Sequence, residues 1–147
     1  MKQLIRLFIF STLLISLNVA AQDNVELVAQ CAASAGDGIT YLKDFAVKLD
    51  AGTPGGKPPS AKFSMVLSKS TQYRFSICTA PTSEGEAILQ LFDMNVLQGS
   101  TYIVATGQEF PSFDFKCQKT GVYHIFISMK EGKPGEAVGI LSFVRKL

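Results

Sequence analysis

The chain has 147 residues, of which 47% are hydrophobic, and it carries 14 Lys and Arg against 12 Asp and Glu. This length fits a single domain with its own core, and the near balance of charge excludes the strongly basic surface typical of nucleic-acid-binding proteins. The single histidine, His124, excludes a metal centre built from several histidines.

Residues 1–21 have the three parts of a secretory signal peptide. Lys2 and Arg6 precede an apolar run at 7–17, and small residues lead to a cleavage site before Gln22. The apolar run is shorter than the ~20 residues of a transmembrane helix. We therefore expect cleavage, export to the periplasm or the cell exterior, and no membrane insertion afterwards. Loss of the two basic residues would leave 12 basic side chains to match the 12 acidic ones.

The remaining residues, 22–147, are predicted to form one domain, and its first segment is compatible with two structures. Apolar residues alternate from Val25 to Cys31, as they do in a strand. Asp23 or Asn24, however, is a suitable N-cap for a short helix that ends near Gly36. We favour the short helix, and the strand stays open as the alternative.

From Ile39 onward, the pattern of apolar residues and turn residues is typical of an all-β domain. We predict strands at residues 39–49, 63–67, 73–78, 87–91, 101–105, 113–115, 121–129 and 136–144. A set of about eight short strands predicts an antiparallel β-sandwich or jelly roll.

The strand patterns also predict neighbours. Residues 63–67 and 73–78 alternate regularly around a short polar link, which favours a β-hairpin. Residues 121–129 and 136–144 are apolar at both odd and even positions. Strands of that kind lie inside a sheet and are covered on both faces, so we expect both to be central and buried on each side.

Three segments also form a recognisable series: QYRFSI at 72–77, ILQLFD at 88–93, and TGVYHIFI at 120–127. They resemble strands of the pre-peptidase C-terminal domains and related small jelly-roll modules of secreted bacterial proteins. The resemblance extends loosely over residues 62–145. It implies a jelly-roll fold and a non-catalytic role of the kind such modules have beside secreted hydrolases.

Candidate site residues are few. His124 is either a general base or metal ligand, or a histidine hydrogen-bonded within a sheet, and we favour the latter because no second metal ligand or nucleophile motif accompanies it. Tyr102 and Phe110 lie in loop or edge segments, where aromatic rings contact a ligand or pack under the rim. Asp93 and Asn95 offer too few oxygens for calcium, so we expect no metal and no cofactor.

The three cysteines predict one disulfide after export. Cys31 precedes the first predicted strand and Cys117 follows the sixth, so an even number of chain reversals places both at one end of the sandwich. Cys78 follows the third strand and falls at the other end. Because a disulfide requires Cα atoms within ~7 Å, we predict a Cys31–Cys117 bond and a free Cys78.

These observations predict an exported, non-enzymatic β-sandwich that binds a protein or a glycan. Two other functions remain open. One is a hydrolase that uses His124 with a carboxylate. The other is a structural or assembly subunit whose final strand, residues 136–145, pairs with another chain.

Overall fold

In the computed structural model of the protein, the described residues are 19–147, with side chains described from residue 24 onward. The predicted signal peptide therefore lies outside the described residues, except for 19–21. The helix α1 spans Val19–Ser34. The strands are β1 Thr40–Leu49, β2 Ser60–Leu67, β3 Thr71–Thr79, β4 Ala87–Asp93, β5 Val96–Ser100, β6 Tyr102–Ile103, β7 Gln108–Glu109, β8 Ser112–Cys117, β9 Gly121–Met129 and β10 Gly135–Lys146.

Eight of these strands form two four-stranded antiparallel sheets that pack face to face. One has the order β1-β10-β3-β8 and the other β2-β9-β4-β5, while β6 and β7 form a separate two-stranded ribbon. Strands β1 to β4 alternate between the two sheets. β5 stays beside β4 in the same sheet, and β8, β9 and β10 then alternate between the sheets again. This order is that of a jelly roll, as predicted from the strand pattern.

The core lies between the two sheets. Its centre includes Phe75 from β3, Leu91 from β4 and Ile125 from β9, each fully buried. β9 lies between β2 and β4, and β10 lies between β1 and β3, so both strands predicted to be central are central. The final strand is therefore paired along both of its edges.

Helix α1 packs on the outer face of the sheet β1-β10-β3-β8, which we call the covered sheet. Cys31 is buried there against Val138 and Ile140 of β10, which point away from the sandwich core. At the end of the helix, the Arg74 guanidinium donates to the Ala35 carbonyl at 2.8 Å. The prediction of a short N-terminal helix is confirmed, although the helix begins before Asp23.

The predicted disulfide is wrong. Cys31 is bonded to Cys78, with Cα atoms 5.7 Å apart, and Cys117 is a buried free thiol. Cys117 is the register partner of Thr71, whereas Cys78 lies near the other end of β3, roughly 23 Å along the strand. The predicted positions of Cys78 and Cys117 at opposite ends are confirmed. The error concerns Cys31, because α1 carries it across the outer face of the sheet to Cys78.

The predicted hairpin at 63–67 and 73–78 is also wrong. β2 and β3 follow each other closely in the chain, but they belong to different sheets, and β2 pairs with β9 while β3 pairs with β10 and β8. Both strands bury one face in the same core, so both alternate. Alternation identifies the buried face of a strand and leaves its partner undetermined.

Strand β5 was not predicted, and its composition explains why. Glycine is disfavoured in strands because it has no side chain to pack. At Gly99, however, a Cβ would collide with the ring of Phe113 on β8 of the facing sheet. Glycine thus lets β5 approach β8 closely at this side of the sandwich.

Candidate functional site

The candidate site is the outer face of the sheet β2-β9-β4-β5, which we call the open sheet. The pairing registers place its outward side chains in four rows across the strands. From one end of the sheet to the other, the rows are Ser60, Ser128 and Ile88; Lys62, Phe126, Gln90 and Ser100; Ser64, His124, Phe92 and Leu97; and Val66 with Val122. We call this surface the open face.

Aliphatic side chains at one end of the open face are exposed. Val66 retains 68% of its accessible surface, Val122 53% and Leu97 49%. Within the described residues, no helix lies over these rows, whereas α1 lies over the corresponding face of the covered sheet. The prediction that β9 is buried on both sides is therefore wrong, because only its core-facing side chains are buried. Val66 and Val122 are register partners, and Leu97 lies opposite Phe92 in the next row. Exposed apolar side chains that share a sheet face are typical of interaction surfaces.

Two aromatic rings occupy the middle of the open face. Phe92 and Phe126 meet edge to face, with ring centroids 5.4 Å apart and an interplanar angle of 81°. The ammonium group of Lys62 lies 5.6 Å from the centroid of the Phe126 ring. This geometry fixes both rings in place and directs the Lys62 side chain inward across the sheet.

His124 lies on the same face, hydrogen-bonded to Ser64. The Ser64 Oγ is 2.8 Å from His124 Nδ1, and the direction of donation follows the tautomer of the ring. This hydrogen bond within the sheet agrees with the interpretation favoured from the sequence. Asp93 follows Phe92 in the chain, but its carboxylate lies 3.5 Å from the Lys119 ammonium group. The described hydrogen bonds thus give His124 a hydroxyl partner and no carboxylate partner.

Tyr102 and Phe110, the predicted ligand contacts, lie at the β6–β7 ribbon and are half-buried. The ammonium group of Lys130 lies 5.0 Å from the Tyr102 ring centroid and forms an ion pair with Glu109 at 2.6 Å. The structure therefore brings both aromatic residues to one ribbon and places them outside the four rows of the open face. Their predicted role in ligand contact stays a prediction.

A pocket of about 230 Å³ lies at one end of the sandwich, near the start of β10. Its lining includes Asp50, Glu84 and Glu136, and Glu136 is paired with Lys48 at 3.0 Å. No group of three or more His, Cys, Asp or Glu side chains within the described part of the chain is placed to hold a metal ion. His124 is not part of the pocket lining, so the pocket does not combine the histidine with a carboxylate.

The free cysteine lies in the core between the sheets. The Cys117 thiol donates to the Lys119 carbonyl at 3.2 Å, and the Tyr123 hydroxyl donates to the same carbonyl at 2.8 Å. Burial and the neighbouring Cys117 raise the pKa of Tyr123 to about 12, so its hydroxyl remains a donor even near pH ~10, where an ordinary tyrosine ionises. This arrangement closes one end of the core and leaves Cys117 away from any described surface site.

Sequence reasoning found His124 but missed its surroundings. Ser64, Leu97 and Val66 join the site only through the pairing of β2 with β9 and of β5 with β4. The signal lies in the second set of alternating positions in β9, Val122 to Ser128, which predicts a buried face. An exposed binding face gives the same apolar pattern.

The fold and this surface define an all-β jelly roll with one covered and one open sheet. No protein-family model matches the chain, and a comparison with curated proteins finds no similar sequence. Among residues 19–147, no helix has both the length and the apolar character needed to cross a membrane.

Proposed function

We propose that the protein is an exported, non-enzymatic binding module that recognises a partner protein through the open face. The observation that supports this most strongly is the exposure of the neighbouring Val66 and Val122, and of Leu97 opposite Phe92, on a regular sheet surface. Binding a partner removes such apolar side chains from water, which lowers the free energy of the complex.

The chemistry of the face favours a protein over a glycan. Sugars commonly stack on the flat face of an exposed aromatic ring. Here the two rings contact each other edge to face, and the Lys62 ammonium lies over one side of Phe126. Exposed aliphatic groups are better suited to apolar side chains of a protein, with Ser64, His124 and Gln90 available for hydrogen bonds.

The contacts of His124 support a binding role better than hydrolysis. Its described polar partner is Ser64, on a flat sheet surface, whereas a catalytic base is normally oriented by a further polar group. The pairing of β10 on both edges likewise gives little support to an assembly subunit that uses its final strand. The resemblance to non-catalytic jelly-roll modules is consistent with the binding role.

Export is supported by two features. The Cys31–Cys78 disulfide is typical of oxidising compartments, and the first 21 residues have the pattern of a signal peptide. An intact mass that begins at Gln22, in protein recovered from the periplasm or the medium, would support export. A full-length chain recovered only from the cytoplasm would contradict it.

Site-specific photocrosslinking in the producing cells tests the binding surface. We expect a photoreactive residue at Val122 to give a discrete adduct with another protein, and the same residue at Val25 to give none. Val25 is the matched control, because it is a valine on α1 with 70% exposure. Equal adducts at the two positions, or none at Val122, would contradict the proposal. If Val122 gives no protein adduct, and a substitution at Val122 abolishes binding to a glycan, the glycan is favoured as the ligand.

A further inference from the structure

The free edge of the open sheet at β2 has the features of a pairing surface. Within residues 19–147, β2 pairs with β9 alone, in an unbroken eight-residue register from Ser60 to Leu67. Its other edge carries backbone N–H and C=O groups without a strand partner. Native proteins commonly block such edges with bulges, charges or short strands.

The other three edge strands of the sandwich carry such blocking features. The register of β1 shifts between Tyr41 and Lys43, and that of β5 against β4 shifts after Leu91. β8 is shorter, with six residues, and carries the exposed Lys116. In β2 the only charged side chain is Lys62, and it lies over the Phe126 ring, directed away from the free edge.

The core-facing residues of β2 show that the sandwich is open along this edge. Phe63 and Met65 pack against the buried core, and Phe63 meets Phe45 at a centroid distance of 5.0 Å, but both remain partly exposed. A strand added beside β2 would complete their burial and satisfy the backbone groups of the edge.

We infer that β2 pairs antiparallel with β2 of a second copy, about a two-fold axis at Ser64. The sequence of β2 is self-complementary in this register. On the outer face, Lys62 lies opposite Val66 of the second copy, so no two lysines meet. On the core side, Phe63 lies opposite Met65 and Ala61 opposite Leu67, which joins apolar groups in both pairs.

The resulting dimer has one continuous eight-stranded sheet. Because a two-fold axis between antiparallel strands is perpendicular to the sheet, the open faces of both copies point to the same side. The inference depends on the edge of β2 and holds whether or not the open face binds a partner protein.

Sedimentation equilibrium of the purified, disulfide-bonded protein tests this pairing. We expect a concentration-dependent monomer–dimer equilibrium. In Val66→Lys, the new lysine of each copy lies opposite Lys62 of the other copy, so the dimer contains two Lys–Lys pairs. We expect this repulsion to raise the dimer Kd about tenfold. Val66→Glu places a carboxylate, rather than a second ammonium group, opposite Lys62 of the other copy and should not weaken the dimer.

Val122→Lys is the matched control. Val122 lies beside Val66 in the same row, is similarly exposed and belongs to β9, away from the edge. It should leave the dimer Kd unchanged, and circular dichroism should confirm that all three variants fold. A protein that stays monomeric at every concentration would overturn the inference. An equal increase in the dimer Kd in Val66→Lys and Val122→Lys would also overturn it, as would an equal increase in Val66→Lys and Val66→Glu.

Discussion

The two sheets of the sandwich have similar inner strands and very different outer faces. β10 and β9 are each the second strand of their sheet, and both carry apolar residues on the side away from the core. Val138 on β10 is fully buried beneath α1, whereas Val122 on β9 is 53% exposed. A two-sided apolar pattern therefore has two causes: a structural cover supplied by the chain itself, or a surface left for another molecule.

A charge should strongly destabilise the protein at Val138 and have almost no effect at Val122. Val138→Asp buries a carboxylate without a partner under α1, and we expect it to lower the free energy of unfolding by about 3–5 kcal/mol. Val122→Asp leaves its carboxylate in water, so we expect a change within about 0.5 kcal/mol. Urea denaturation followed by circular dichroism measures both, and equal losses would contradict the difference between the faces.

The next effect concerns the attachment of the helix. The Cys31–Cys78 bond joins residues 47 apart in the chain, so it restricts the unfolded state substantially. We expect the double variant Cys31→Ser, Cys78→Ser to lose about 2–4 kcal/mol of stability in denaturant titrations.

Thiol counting provides the control for the disulfide. Native protein should react at none of its cysteines, unfolded protein at Cys117 alone, and reduced unfolded protein at all three. If the thiol reagent labels Cys78, and Cys31 is found bonded to Cys117, the pairing predicted from the sequence is correct and the structure is contradicted.

A smaller effect is expected from the ion pair beside the end of α1. Arg74 Nε donates to Asp114 Oδ1 at 2.6 Å, and this hydrogen bond lowers the pKa of Asp114 below 3.8. Both side chains are about one-third exposed, so we expect Asp114→Asn to cost about 1 kcal/mol at neutral pH.

The pH dependence of this effect follows from the direction of the shift. A carboxylate with a lowered folded-state pKa stabilises the fold fully above its unfolded value, and the stabilisation is lost as the pH falls through the lowered pKa. The stability difference between the protein and Asp114→Asn should therefore be constant at neutral pH and shrink in acid. A difference that grows below pH 3.8 would contradict this assignment.

The smallest effects distinguish two serines on the outer faces. The Ser76 hydroxyl is buried on the covered sheet without a hydrogen-bond partner among the described residues, whereas Ser64 on the open face is bonded to His124. We expect Ser76→Ala to raise the free energy of unfolding by about 0.5–1 kcal/mol and Ser64→Ala to lower it by no more than about 0.5 kcal/mol. Thermal unfolding of the two variants measures the difference, and destabilisation by Ser76→Ala would show that its hydroxyl is satisfied.

The sequence patterns predicted the fold class, the short helix and the central positions of β9 and β10, because these follow from local periodicity and turn residues. They did not predict that β2 and β3 lie in different sheets, since alternation is the same for adjacent and facing strands. The disulfide and the open face depend on where α1 packs and on strand register. Both are set by contacts between residues far apart in the chain, as between Cys31 and Cys78 or Ser64 and His124.

Carbene footprinting of the native, oxidised protein tests the difference between the two faces most directly. Labelling of each residue is compared with labelling of the unfolded chain by mass spectrometry. We predict strong labelling of Val66 and Val122 and little labelling of Val138 and Ile140. Comparable labelling of the two pairs would contradict the account, because it would mean either that α1 does not cover its sheet or that the open face is also covered.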